Sequence, residues 1–184
     1  MASCTYLRAC LDETLRMSPP SPSVLWREQD PKDDKALIVD GHVIPRGTLV
    51  SVSSYALQHN EEYFPDSFTF KPDRWLEKPG NEEARKIAHD AFGAFSTGPR
   101  NCAGKPMAYL ESSLVIAKTL WYFEFETAPG QLGEIGGGKL GAKDGRDRPG
   151  EYQLFDIFTS RHDGPYLVFH PRNNILKGDF EATA

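Results

Sequence analysis

The sequence predicts a mainly α chain with small β-sheets, that is, an α+β fold. Two segments, 3–17 and 103–123, carry apolar residues at helical spacing and are long enough to be helices. Short β-like segments lie between and after them, separated by prolines and glycines. Those two residue types number 14 and 16 among 184 residues, so we expect many turns and irregular segments.

The first predicted helix, residues 3–17, ends at the proline run that begins with Pro19. Asp12 lies four residues before Arg16 and Glu13 lies three residues before it. Side chains at these two spacings meet on a helix surface. We therefore predict that Arg16 pairs with both carboxylates.

The chain between the two helices is predicted to be largely irregular. It begins with a hairpin of residues 36–39 and 42–44, joined by an Asp40-Gly41 turn. The coil that follows is rich in large aromatic residues, and we expect it to be packed down rather than loose. In chain order, the further expectations are a strand at 48–53, a short helix at 54–60, packed aromatic coil at 61–77, a solvated helix at 82–89 and glycine-rich coil at 91–104.

The second predicted helix, residues 103–123, has five apolar residues in steps of three and four, which predicts a buried stripe. Pro106 falls in the first turn, where a missing N–H costs nothing. After this helix we predict a glycine-rich surface loop at 129–150 and a last hairpin of residues 152–158 and 166–169, joined through Asp163-Gly164. The stripe consists of Met107, Leu110, Leu114, Ala117 and Trp121.

Composition excludes several classes of protein. The net charge of −5, with no basic stripe, argues against nucleic-acid binding. Three scattered cysteines do not form a disulfide framework or a zinc motif, and no histidine pair has zincin spacing. The stretch from Gly133 to Lys139 resembles a phosphate-binding loop, but Leu140 stands where such a loop needs Ser or Thr. No apolar run reaches the ~20 residues of a membrane span.

The segment before the second helix has the features of a reactive or metal-binding thiolate site. Cys102 precedes a helix, where unpaired N–H groups and the helix dipole favour thiolate over thiol. Arg100 adds positive charge, and Gly98 and Gly104 allow tight turns and the close approach of a flat partner. Phe95 is expected to shield the sulfur from water. A soft metal ligand and a nucleophile both need these features, so the pattern by itself leaves both open.

The same segment resembles the haem-ligand loop of the cytochrome P450 family, F-x-x-G-x-R-x-C-x-G. All five fixed positions are filled, a match specific enough to imply the family. The resemblance implies that Cys102 ligates the iron of haem b as a thiolate. It also implies the C-terminal part of that fold, incomplete without its N-terminal half. The residues at the fixed positions are Phe95, Gly98, Arg100, Cys102 and Gly104.

Two further segments resemble the family in the expected order. Residues 13–16 resemble its E-x-x-R helix, and residues 70–75 resemble its P-E-R-F segment, with Asp73 for the usual Glu and Trp75 for the usual Phe. The resemblance implies a buried triad of Glu13, Arg16 and Arg74 that supports the haem. It further implies that Arg27 and Arg100 contact haem propionates and that segments 21–26 and 154–159 line the substrate pocket.

The resemblance implies a haem-thiolate monooxygenase that inserts one oxygen atom from O2 into an apolar or aromatic small molecule. Electrons would come from NADPH through a cytochrome P450 reductase that docks on the proximal face near Lys105. Two alternatives stay open: a reductase-independent peroxygenase or isomerase, and an inactive haem-binding remnant. Short phrases such as residues 15–20 resemble fungal members, in particular the benzoate para-hydroxylase-like group.

The extent of the resemblance sets the expected organisation. Residues 1–172 are predicted to be the C-terminal haem-binding part of one domain, and residues 173–184 a disordered tail. No A-G-x-x-T-like stretch of the distal oxygen-binding helix is found, so we expect a fragment that is inactive by itself. The parent protein is expected at the cytosolic face of the endoplasmic reticulum, anchored by an N-terminal segment outside this sequence.

Overall fold

The structure, a computed structural model, describes residues 4–172. The tail predicted at 173–184 lies outside these residues. Both long helices are confirmed, and so is the short helix after residue 53. In chain order, the elements are α1 Thr5–Met17, β1 Leu37–Val39, β2 His42–Ile44, α2 Ser54–Gln58, a 3₁₀ turn Pro72–Trp75, α3 Glu82–Ala91, a 3₁₀ turn Gly98–Arg100, α4 Lys105–Tyr122, β3 Phe123–Thr127, α5 Gln131–Glu134, β4 Phe155–Ile157, β5 Thr159–Arg161 and β6 Leu167–Pro171.

A small core forms where α1, the turn Pro72–Trp75 and α3 meet. Ala9, Phe64, Trp75 and Ala88 are buried there. The Trp75 ring contacts the ring of Phe92 edge-on, with centroids 5.1 Å apart. The aromatic coil is therefore packed down, as predicted. The helix predicted at 82–89 forms, but it is not solvated all round, because Ala88 packs against Trp75.

The β1–β2 hairpin is confirmed, with Val39 opposite His42 in an antiparallel pair. The strand predicted at 48–53 is not formed. Its residues make only two isolated bridges, from Val50 to Arg27 and from Ser53 to Val24. Sequence propensity identified an extended segment, but a strand also needs a partner aligned along its length.

The predicted last hairpin has the wrong partners. The chain reverses at Phe158, whose φ of +84° is left-handed, and β4 pairs with β5 directly after it. β6 pairs instead with β3, an antiparallel partner whose residues lie 40 to 48 positions earlier. Phe125 and Phe169 are opposite each other in that pair, and their ring centroids are 5.6 Å apart. Aromatic packing across strands is a tertiary contact that a period-two pattern does not specify.

The buried stripe predicted on α4 is wrong for this structure. Met107, Leu110 and Trp121 are 61%, 57% and 62% exposed. Within residues 4–172, α4 packs mainly against α1 and β3, and nothing covers this face. Val115 and Leu120, which lie outside the stripe, are also exposed, so α4 is apolar on most sides. Even so, no helix in the described part of the chain is long and apolar enough to cross a membrane.

The glycine-rich segment 129–150 is mostly loop, as predicted, apart from α5. Its end is fixed to the body of the chain by two contacts. The Tyr55 hydroxyl donates a hydrogen bond to the Glu151 carboxylate. The Arg148 guanidinium lies 3.6 Å from the centroid of the Phe68 ring. The loop thus runs back over α2 and the aromatic coil.

Candidate functional site

Cys102 lies in a compact loop that leads into α4. Its backbone N–H donates to the Phe95 carbonyl at 2.8 Å and closes the loop. Inside it, the Asn101 N–H donates to the Gly98 carbonyl at 3.1 Å. Gly98 has a φ of +72°, a left-handed conformation that strongly favours glycine. The tight turn expected from this glycine is therefore present.

The thiol of Cys102 is exposed and lies two residues before Gly104, the N-cap of α4. Because Cys102 is exposed, Phe95 does not shield it from solvent in this structure, contrary to the sequence expectation. A Cβ atom placed on Gly104 would lie 3.8 Å from Cys102 Sγ. Any side chain at position 104 would thus begin in contact with the sulfur, and glycine leaves that space free.

The ring of Phe95 packs against α4. Its centroid lies 5.1 Å from that of Tyr109, and Lys105 Nζ lies 5.6 Å from it. Sequence reasoning missed Tyr109, which is only 9% exposed. A usable signal was its position one turn after Lys105, on the helix that follows the cysteine loop.

Glu13, which is fully buried, is the centre of a polar cluster. Its Oε1 atom accepts hydrogen bonds from Arg16 Nη2 and Arg74 Nε, both at 3.0 Å, and from the Lys71 backbone N–H at 2.9 Å. Its Oε2 atom accepts from Arg16 Nε and Trp75 Nε1, both at 2.9 Å. The structure thus brings together the predicted triad of Glu13, Arg16 and Arg74. It also adds Trp75, whose indole donates where the more usual Phe has no donor.

The surroundings of Glu13 keep its carboxyl ionised. Burial by itself would raise the pKa, but hydrogen bonds and charge from Arg16, the Lys71 N–H and the charge of Arg74 together hold the pKa of Glu13 below its ordinary value. Arg16 is fully buried and also donates from Nη1 to the Gln58 carbonyl at 2.7 Å. Each buried charge therefore has partners, the condition under which such groups are tolerated.

Asp12 does not pair with Arg16, contrary to the sequence expectation. The Arg16 guanidinium is already used by Glu13 and Gln58. Asp12 pairs instead with Arg8 one turn earlier, with Arg8 Nε 3.0 Å from Oδ2. The Tyr109 hydroxyl donates to the other carboxylate oxygen. Spacing on α1 allowed either arginine, and the neighbouring elements decided between them.

The two arginines expected to contact haem propionates are exposed. Arg27 Nη1 donates to the carbonyls of Leu25 and Trp26, at 3.2 and 2.9 Å. Within the described residues, neither Arg27 nor Arg100 forms an ion pair with a carboxylate. Both cations therefore remain available for an external anionic group.

The two segments expected to line a substrate pocket lie side by side. The Ser160 N–H donates to the Pro20 carbonyl, which joins the β4–β5 hairpin to the proline run. Between them is a cavity of about 340 Å³, lined in part by Pro22, Ser23 and Leu154. The structure thus brings segments 21–26 and 154–159 to a common cavity.

The donor set fits haem better than an isolated metal ion. Among residues 4–172, no three His, Cys, Asp or Glu side chains are grouped to hold a metal. Cys102 would thus be the single protein ligand from this chain, whereas zinc needs three or four protein ligands. An iron whose porphyrin already supplies four nitrogens needs only one further ligand from the chain, and the exposed thiol of Cys102 could provide it.

Comparison with known proteins agrees with these features. A family model described as cytochrome P450 matches residues 1–135. A cytochrome P450 monooxygenase from Gibberella zeae is 43% identical over 178 residues, covering 97% of this chain and 39% of that protein. The cytochrome P450 monooxygenase AKT7 from Alternaria alternata is 46% identical over 171 residues, covering 91% of this chain and 32% of that protein. The chain thus spans about a third of the length of these curated fungal relatives.

Solved structures show the same fold over a partial region. The cytochrome P450 CYP102L1 matches with a TM-score of 0.67 at 26% identity, over 93% of this chain and 32% of that one. The retinoic acid-bound cyanobacterial CYP120A1 matches with a TM-score of 0.64 at 24% identity, over 91% and 32%. These matches support the predicted fold class, helices with small sheets that form part of a larger fold.

Proposed function

The chain belongs to the cytochrome P450 family, and on this premise we propose that it carries the haem-thiolate site of a monooxygenase. That enzyme would insert one oxygen atom from O2 into an apolar or aromatic small molecule. The observation that carries the proposal is the exposed Cys102 thiol in a closed loop at the start of α4. Because the chain spans about a third of its relatives, the activity is proposed for the natural protein of which these residues are part.

Each site residue has a distinct part in this proposal. Cys102 Sγ binds the iron of haem b, and the exposed guanidinium groups of Arg27 and Arg100 pair with the propionates. When bound, the haem would supply redox-active iron for oxygen chemistry, and Cys102 as a thiolate would donate charge to that iron. The Phe95 carbonyl accepts a hydrogen bond from the Cys102 N–H and thereby closes the loop. Glu13 ties α1 to Arg74, and by resemblance to the family this triad would support the haem.

Electron supply and substrate follow from the surfaces next to the site. Lys105 is exposed at the first residue of α4, and we propose that an acidic surface of an NADPH-dependent reductase docks there. The cavity between segments 21–26 and 154–159 would form part of the substrate pocket. Its lining mixes Pro22 and Leu154 with charged residues such as Arg146, so the apolar or aromatic substrate is inferred from the family resemblance. Location at the endoplasmic reticulum and membership of the benzoate para-hydroxylase-like group remain predictions from the resemblance.

The test is the difference spectrum of the haem-loaded natural protein after reduction and addition of carbon monoxide. We expect the strongly red-shifted band of a thiolate ligand in the wild type and its loss in Cys102→Ser, because an alcohol donates far less charge to iron. Cys4→Ser is the matched control. Cys4 is also an exposed thiol at a helix N-terminus, but it lacks the glycine-containing loop.

An unchanged red-shifted band in Cys102→Ser would refute the assignment of Cys102 as the ligand. Loss of the band in Cys4→Ser would equally contradict it. Turnover that depends on NADPH and a reductase would support the monooxygenase, whereas turnover with peroxide alone would support the peroxygenase alternative.

A further inference from the structure

Asp12 and Glu13 are neighbours on α1, yet they contact different parts of the molecule. Glu13 bonds to Arg74 and Trp75 in the 3₁₀ turn Pro72–Trp75. Asp12, only 5% exposed, accepts the hydroxyl hydrogen bond of Tyr109 on α4. The triad explains the position of Glu13. It does not explain why Asp12, a second buried carboxylate, bonds to α4, the helix that follows the cysteine loop.

Tyr109 lies at the centre of a chain of contacts that leads to that loop. The Arg8 guanidinium lies over its ring, 3.5 Å from the centroid, and Arg8 also pairs with Asp12. The ring of Phe95 also contacts Tyr109, with ring centroids 5.1 Å apart. The Phe95 carbonyl accepts the Cys102 N–H at 2.8 Å. α1 is thereby connected to the backbone of the proposed iron ligand through two side chains.

We propose that Tyr109 is a positioning residue for the Cys102 loop, with its hydroxyl anchored on Asp12 so that its ring fixes Phe95. This inference rests on the proposed function, since it assigns the contacts to holding an iron ligand. The anchor is specific because a tyrosine hydroxyl bonded to a buried carboxylate has a defined direction, whereas ring packing by itself allows rotation and sliding.

The electrostatics of the cluster favour a permanent anchor. Burial, together with the hydrogen bond and charge of Asp12, raises the pKa of Tyr109 well above its ordinary value. The hydroxyl therefore keeps its proton, and remains a donor, throughout the physiological range. Arg8 compensates the charge of Asp12, which allows the carboxylate to stay buried.

The experiment compares two Tyr→Phe variants in the haem-loaded natural protein. Tyr109→Phe removes the Asp12 bond and keeps the ring. Tyr55→Phe removes a bond of the same kind, from a partly buried tyrosine hydroxyl on α2 to the Glu151 carboxylate. Both residues line the proposed substrate cavity, so the comparison is made without substrate. Two quantities are measured in mild urea: the rate at which the red-shifted carbon monoxide band is lost, and the midpoint of global unfolding.

We expect Tyr109→Phe to lose the red-shifted band at least about tenfold faster than wild type, the lower end of the range for a hydrogen bond to a charged group. Tyr55→Phe should lose it at the wild-type rate. Asp12→Asn, which keeps the shape and weakens the same bond, should change the rate in the same direction, and it provides the test if Tyr109→Phe does not fold.

The outcomes separate this inference from the proposed function. A wild type without any red-shifted band refutes the proposed function itself. A wild-type band with unchanged loss rates in Tyr109→Phe and Asp12→Asn refutes only the positioning role. Equal acceleration in Tyr109→Phe and Tyr55→Phe, with parallel shifts of the unfolding midpoint, also refutes it, because that is the signature of general destabilisation.

Discussion

The surroundings of Glu13 and those of Cys102 differ in how completely this chain supplies them. Glu13 is 0% exposed and accepts five hydrogen bonds from four residues. Cys102 is exposed, and a hydrogen bond from its backbone N–H to the Phe95 carbonyl holds the backbone of the loop. Beyond it, α4 presents Met107 and Leu110 to solvent. Glu13 thus finds its partners within this chain, whereas Cys102 and this face of α4 remain exposed.

The difference has a physical reason. A buried charge without partners costs several kcal/mol, so the partners of Glu13 must be present whenever it is buried. Here they are Arg16, one turn later on α1, and residues 71–75, which the fold brings to Glu13. An exposed apolar helix face or thiol carries no comparable penalty and can exist until a partner covers it. Large exposed apolar surfaces are typical of sites that contact something else.

The largest expected effect on stability is in the Glu13 cluster. Glu13→Ala should lower the free energy of unfolding by about 3–5 kcal/mol, because it leaves Arg16 buried without its carboxylate. The measurement is urea unfolding of this chain followed by tryptophan fluorescence. A loss below about 1 kcal/mol would be typical of a surface ion pair and would contradict the closed cluster.

The control for that prediction uses pH. Because the pKa of Glu13 is lower in the folded state than its ordinary value near 4.5, its stabilisation is fully present above that pH. It is lost as the pH falls through the folded-state pKa. The stability difference between wild type and Glu13→Gln should therefore shrink in acid, and a constant difference would argue against a charge effect.

A smaller effect tests the fifth hydrogen bond of the cluster. Trp75→Phe keeps an aromatic ring in the core but removes the indole donor to Glu13 Oε2. We expect a loss of about 1.5–3 kcal/mol, the range for a hydrogen bond to a charged group. Circular dichroism is the appropriate probe, since the variant lacks one fluorophore. An unchanged unfolding midpoint would show that Glu13 does not depend on Trp75.

The smallest effect on stability is expected on the exposed face of α4. Leu110→Ser should change the unfolding free energy of this chain by less than about 0.5 kcal/mol, because the side chain is 57% exposed. Chemical denaturation at two protein concentrations provides the measurement. A loss of several kcal/mol, as at a core position, would show that this face of α4 is covered in solution.

Local features of the sequence were sufficient for much of the fold. Both long helices, the β1–β2 hairpin and the turn at Gly98 depend on nearby residues, and the structure contains all of them. The failures involve distant partners. β6 pairs with β3 rather than closing a local hairpin, and segment 48–53 forms bridges rather than a strand. Strand propensity does not specify which strand lies alongside.

The same division holds for the candidate site. The cysteine loop and the Glu13–Arg16 pair were visible as short-range patterns. The hydrogen bond from Trp75 to Glu13 and the contact of Tyr109 with Asp12 join residues 62 and 97 positions apart. No spacing rule reaches that far along the chain.

By itself, the sequence determined the family, the helices and the position of the proposed ligand, because these depend on residues close together in the chain. Only the tertiary structure decided which arginine pairs with Asp12, which donors reach Glu13 and which side of α4 remains exposed. Those outcomes depend on packing between distant segments, where each buried polar group takes the partner that the fold brings within hydrogen-bonding distance.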